Sequence, residues 1–144
     1  MPFRAEGTFD GVVNADPVTI LLIEDDPDQL RVLAAHLSCA GHECVLAPSG
    51  EHALEAWCGR SFDLVVTDLR LPGIDGCQLI EHLAHAEMVP VIVVTGFRSD
   101  FDHRLRCTPA LVVLEKPFTP SRLLAEIPAI ALAFVGLIQG AAVS

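Results

Sequence analysis

Short apolar runs closed by polar or turn residues alternate with helical spacings along the chain. Thr19-Ile-Leu-Leu-Ile23 stops at Glu24-Asp25-Asp26-Pro27. Apolar runs this short suit strands buried on both faces. Leu30, Leu33, Ala34 and Leu37 follow at helical spacing, and Gly41 ends that helix. Cys44-Val-Leu46 predicts a second strand, and Ser49 caps a helix through Ala53, Leu54 and Trp57. Leu64-Val-Val-Thr67 predicts a third strand ending at Asp68. Gly76 to Ala86 predicts a helix with Leu79, Ile80 and Leu83 inward. Val91-Ile-Val-Val94 predicts a fourth strand ending at Thr95-Gly96. Ser99 to Cys107 predicts a weak helix, because its apolar face is only Phe101 and Leu105. Leu111-Val-Val-Leu114 predicts a fifth strand ending at Glu115-Lys116-Pro117. Thr119 and Pro120 fit the N-cap and first position of a last helix.

Five strands alternating with five helices predict an α/β fold, a parallel sheet with helices on both faces. No Gly-x-Gly-x-x-Gly follows the first strand, which disfavours a dinucleotide site. Residues 1–17 show little period and read as a loose arm. The domain is expected over 18–126, with an apolar extension over 127–144. Pro128 falls inside the last helix, where an interior proline costs about 3 kcal/mol. A kink, or a fresh helix starting at Pro128, is expected. Beyond it, Ile130, Phe134 and Leu137 form one apolar face, and Leu132, Val135 and Ile138 another. A surface helix needs only one such face. The second implies a partner, most simply a second copy of the chain, and Ile130, Phe134 and Leu137 are the expected contact residues. The alternatives are that both faces pack on this domain, or that the tail is partly disordered.

Composition narrows the class. A chain of 144 residues with 51% apolar content favours one domain with its own core. The net charge of −10 repels phosphate backbones, so no nucleic-acid partner is expected. Five scattered cysteines with no Cys-x-x-Cys argue against a disulfide framework or structural zinc, and fit a reducing cytoplasm. Met1 to Val18 has no apolar signal core. The dense apolar stretch Ile127 to Ile138 falls short of the about 20 residues that a membrane span needs. Eight of the nine basic residues are arginines; the only lysine is Lys116.

Ligands of parallel α/β sheets bind beyond the carboxyl ends of the strands. Here those ends carry Glu24 and Asp25, Asp68, Thr95 and Lys116. Three carboxylates packed together repel unless a cation sits among them. Oxygen donors without His or Cys favour Mg²⁺ over zinc. A hydroxyl and an ammonium opposite them suit a phosphoryl group, whose charge spreads over three oxygens. A carboxylate can itself be the nucleophile. The set therefore points to phosphoryl transfer onto Asp68, with Mg²⁺ and Lys116 neutralising developing charge.

Glu24-Asp25, Asp68-Leu-Arg-Leu-Pro72-Gly-Ile-Asp-Gly76, Thr95-Gly96 and Lys116-Pro117-Phe118 together resemble the receiver domain of two-component response regulators. The resemblance runs from about Thr19 to Leu124. It implies a flavodoxin-like, doubly wound sheet of order 2-1-3-4-5. It implies that Asp68 takes phosphate from a histidine kinase or a histidine phosphotransfer protein. It implies Mg²⁺, with Mn²⁺ as the alternative ion, bound by Asp25, Asp68 and the backbone carbonyl of Arg70, with Glu24 acting through water. It also implies a cis peptide at Lys116-Pro117. Asp26 falls outside this set, as a solvated residue opening the first helix.

The chain departs from the family pattern in its switch. Many receivers carry Tyr or Phe three residues before the lysine; here the position is Val113, and the chain has no Tyr. Val94-Thr-Gly-Phe97 resembles part of the Phe-Ala-Thr-Gly-x-Tyr signature of single-domain receivers. Thr95, Phe97 and Val113 are the expected switch positions, with phosphorylation ordering residues 96–108. His82 and His85 sit at i, i+3 on the third helix without an evident third metal ligand. His36, His42, His52 and His103 read as surface or loop residues, and Cys77 as a packed thiol.

The expected function is a stand-alone phosphoacceptor acting through phospho-dependent contacts with a downstream protein. About 20 residues follow the core, so no output domain is expected. Its only chemistry would be self-phosphorylation and autodephosphorylation. The rivals are an unphosphorylated interaction or dimerisation module of receiver fold, and a receiver fragment of a larger regulator or hybrid kinase. An aspartyl-nucleophile phosphatase ranks last, because Arg70 stands where those enzymes carry a second acid.

Overall fold

The structure, a computed structural model, describes residues 17–86, 88–96 and 111–143. In chain order they form β1 (Thr19–Ile23), α1 (Pro27–Cys39), β2 (Glu43–Ala47), α2 (Gly50–Gly59), β3 (Leu64–Asp68), α3 (Gly76–Ala86), β4 (Val91–Thr95), β5 (Leu111–Glu115) and α4 (Pro120–Val143). The five strands pair in parallel in the order β2-β1-β3-β4-β5. The order reverses direction between β1 and β3, so their carboxyl ends open the crevice expected of a doubly wound sheet. The predicted helix at 99–107, Phe97, the side chain of Leu137 and residues 1–16 of the expected arm over 1–17 lie outside the described residues.

Strand alternation sends side chains to two cores. Leu21, Ile23, Val65 and Val93 pack with Ala53 of α2 and Leu79, Ile80 and Leu83 of α3. Ile20, Leu22, Val66, Ile92 and Val94 pack on the other face with Leu30, Leu33 and Leu37 of α1 and Leu123, Ile127 and Ile130 of α4. Burying each such side chain contributes about 2 kcal/mol. Both faces are covered, which explains why β1, β3 and β4 read as continuous apolar runs.

The helix ends follow the sequence signals. Asp26 caps α1, accepting from the N–H groups of Asp28 and Gln29. Gly41 takes φ +100° just past that helix, a conformation costly for other residues. Ser49 caps α2 through the His52 N–H, and the Thr119 hydroxyl accepts from the Arg122 N–H at the start of α4.

Three expectations are corrected. Of the two alternatives at Pro128, the fresh helix is excluded, because α4 runs on through the proline. Ile127 and Ile130 flank the proline and are both buried, and this burial offsets the lost backbone bond. Ile130, expected at a contact between copies, is only 2% exposed and belongs to the chain's own core. Phe134 is half-buried, while Leu132 and Val135 of the opposite face are 75% and 47% exposed. His42, read as a surface or loop residue, lies in the loop before β2 but is only 7% exposed; its Nδ1 accepts the Val18 N–H at 3.1 Å. No helix among the described residues is long and apolar enough to cross a membrane.

Candidate functional site

β1, β3, β4 and β5 deliver their last residues, or the residue just beyond, to one edge of the sheet. Ile23 pairs with Thr67, Asp68 with Val94 and Thr95 with Glu115. This register puts Glu24 level with Asp68, Thr95 one position beyond them and Lys116 two positions beyond, all at the same edge. Glu24, Asp68 and Thr95 are buried and Asp25 is exposed. Glu24, Asp25 and Asp68 each offer a carboxylate oxygen, and these oxygens lie within 4.8 Å of one another.

Lys116 answers that charge. Its Nζ donates to Asp68 Oδ2 at 2.8 Å and to Glu24 Oε1 at 3.3 Å. Its backbone N–H donates to the Thr95 carbonyl at 2.7 Å, which ties the lysine to the end of β4. The Lys116–Pro117 peptide is cis. Glu24 Oε2 accepts the Asp26 N–H at 3.2 Å, and Asp68 Oδ1 accepts the Arg70 N–H at 3.0 Å.

Burial pushes the Glu24 carboxyl above its usual range, against the pull of the Asp26 N–H and Lys116. Burial also works to lower the Lys116 ammonium, but the hydrogen bond and charge of Asp68, with Glu24, outweigh it and hold it above the ordinary lysine value. Three carboxylates against one ammonium leave two formal negative charges, the charge that a dication cancels. The donors are all hard oxygens, so the residues present fit Mg²⁺.

The loop after Asp68 is held tightly. The Gly76 N–H donates to the Leu69 carbonyl at 2.9 Å, and a Cβ at Gly76 would collide with the backbone of Asp68 and Leu69. Only glycine allows α3 to begin that close to the end of β3.

The family model of the response regulator receiver domain matches residues 20–128. The chain belongs to the response regulator receiver family. Transcriptional activator protein PfeR of Pseudomonas aeruginosa is 36% identical over 105 residues, which are 72% of this chain and 34% of PfeR. The uncharacterized transcriptional regulatory protein YrkP of Bacillus subtilis is 33% identical over 113 residues, 75% of this chain and 47% of YrkP. This receiver chain thus spans between a third and a half of the length of these curated relatives. The signal transduction histidine-protein kinase BarA of Escherichia coli matches over 82 residues, 9% of its length, at 35% identity. A receiver protein from Sinorhizobium medicae superposes with a TM-score of 0.73 at 29% identity, covering 82% of this chain and 97% of that one. Chemotaxis response regulator CheY4 of Vibrio cholerae shares the fold at a TM-score of 0.72 and 21% identity, over 80% and 99% of the two chains.

Within this receiver, Glu24, Asp25, Asp68 and Lys116 are brought together, and Thr95 closes the strand beside Asp68. Val113 is half-buried, pairs with Val93 and packs against the α3-side core. Sequence reasoning did not find Glu51. It lies in the first turn of α2, yet its Oε2 accepts the Ile74 N–H at 3.2 Å in the loop after Asp68. No local signal marks a contact across 23 positions.

Proposed function

We propose that this receiver is a phosphoacceptor that takes a phosphoryl group onto Asp68 from a phosphohistidine on a histidine kinase or histidine phosphotransfer protein. The observation that carries this reading is Lys116 Nζ at 2.8 Å from Asp68 Oδ2, opposite the three-carboxylate cluster. A carboxylate oxygen of Asp68 attacks phosphorus as the P–N bond to the imidazole breaks, and the departing imidazole keeps the electron pair and picks up a proton. Lys116 and the Thr95 hydroxyl stabilise the phosphoryl oxygens. The Arg70 N–H on Oδ1 orients the carboxylate. Asp25, Asp68 and the Arg70 carbonyl would hold Mg²⁺, or Mn²⁺ in its place, and Glu24 would act through water. When bound, the ion supplies positive charge that offsets the cluster and the incoming phosphoryl group. Water later hydrolyses the acyl phosphate and restores the carboxylate.

The test is incubation of the chain with a small acyl phosphate and Mg²⁺, read by intact mass. Wild type is expected to gain one phosphoryl group and Asp68→Asn none. A variant labelled as fully as wild type would overturn the assignment to Asp68, and a wild type that stays unlabelled would leave an interaction module that is never phosphorylated. Output through a downstream protein belongs to the same proposal, and so does a cytoplasmic setting.

A second reading concerns assembly. The stripe of Leu132 and Val135 on α4 is exposed and lies in a stretch without charge, on a chain that otherwise carries −10. Two copies meeting there bury apolar surface without opposing like charges. We therefore place a homodimer contact at Leu132 and Val135, in place of Ile130.

A further inference from the structure

We propose that Glu51 is a positioning residue for the cation site, acting from α2 on the loop that follows Asp68. This inference rests on the Mg²⁺-dependent reading of the site.

Three observations bring the first turn of α2 onto the tip of that loop. Glu51 Oε2 accepts the Ile74 N–H at 3.2 Å. Gly73 holds φ +76°, and a Cβ there would stand 2.5 Å from the same Oε2. Gly50 lies so close that its own Cβ would come within 2.7 Å of the Ile74 carbonyl oxygen. A carboxylate and two glycines therefore form one fitted contact.

The loop runs from Leu69 to Asp75 and carries Arg70. At its base it is tied by the Arg70 N–H to Asp68 Oδ1 and by the Gly76 N–H to the Leu69 carbonyl. At its tip it is tied by Glu51. Fixing both ends fixes the direction of the peptide planes between them, including the Arg70 carbonyl proposed as a cation ligand. Groups that orient a ligand without touching the ion typically change metal affinity by about 10-fold or more. The carboxyl of Glu51 sits below the usual range, held there first by its own backbone N–H and then by that of Ile74, so it is a charged acceptor at neutral pH.

The experiment uses the full chain as wild type, Glu51→Ala and Glu51→Gln. Mg²⁺ affinity is measured by calorimetry, and amide exchange at Ile74 is measured without metal. Glu51→Ala is expected to bind Mg²⁺ about 10-fold more weakly and to exchange faster at Ile74. Glu51→Gln keeps an acceptor oxygen and loses the charge, so it is expected to restore most of both. That rescue separates orientation from a simple change in the local field. Wild-type affinity in Glu51→Ala, or equal loss in both variants, would overturn the inference while leaving the phosphoacceptor reading intact. Wild-type protein that binds no Mg²⁺ would overturn the cation site itself, and this inference with it.

Discussion

Asp68 and Lys116 stand 48 positions apart in the chain and 2.8 Å apart in space. Each was legible from the sequence because a buried strand has one conspicuous place for a polar residue, its carboxyl end. The lysine matters through its charge in a half-buried setting, where an ion pair is worth more than in water. Lys116→Met keeps the length of the side chain and removes the ammonium. Initial labelling by a small acyl phosphate with Mg²⁺ is expected to fall about 100-fold. A rate within a few-fold of wild type would show that the ammonium does not act on the phosphoryl group. His42 was not legible, because its burial depends on how α1 and β2 meet. Its Nδ1 accepts a backbone N–H, and burial holds the ring below the ordinary histidine value. The unfolded chain therefore takes up the proton first as pH falls. The stabilisation is complete above about pH 6.5 and is lost as pH drops below it. Denaturant titrations at pH 7.5 and 5.5 are expected to show wild type losing more stability than His42→Gln; equal losses would contradict this.

At the scale of elements, the sheet was readable and the last helix only partly so. β1, β3 and β4 are apolar throughout because helices cover both their faces, and no amphipathic alternative competes with that pattern. In α4 two apolar faces compete, and a proline interrupts the helical pattern. The row Leu123, Ile127, Ile130 decides between the faces, because it joins the core that α4 shares with β5 and α1. Local propensity at Pro128 gives way to this packing. The outward stripe is left with Leu132 and Val135. Light scattering at micromolar concentration is expected to report a dimer for wild type and a monomer for the Leu132→Glu, Val135→Glu double variant. A monomeric wild type would remove the proposed contact.

At the scale of the molecule, the fold converts chain order into one charged edge. The direction change between β1 and β3 leaves a crevice, and the register of four strands fills it with carboxylates on one side and an ammonium on the other. That arrangement followed from strand order, which the resemblance to receiver domains already implied. The brace from Glu51 to Ile74 did not, because it joins α2 to the loop after β3 and no periodicity records such a contact. The longer regulators and the kinase with which the chain shares sequence bear the same domain on larger frameworks. The most direct test is to treat the full chain with a small acyl phosphate, with Mg²⁺ and with chelator, and to map the modified residue by peptide mass. The account predicts a single phosphoryl group on Asp68 that is absent with chelator. A chain that stays unmodified with Mg²⁺, or carries the group on another residue, would contradict it.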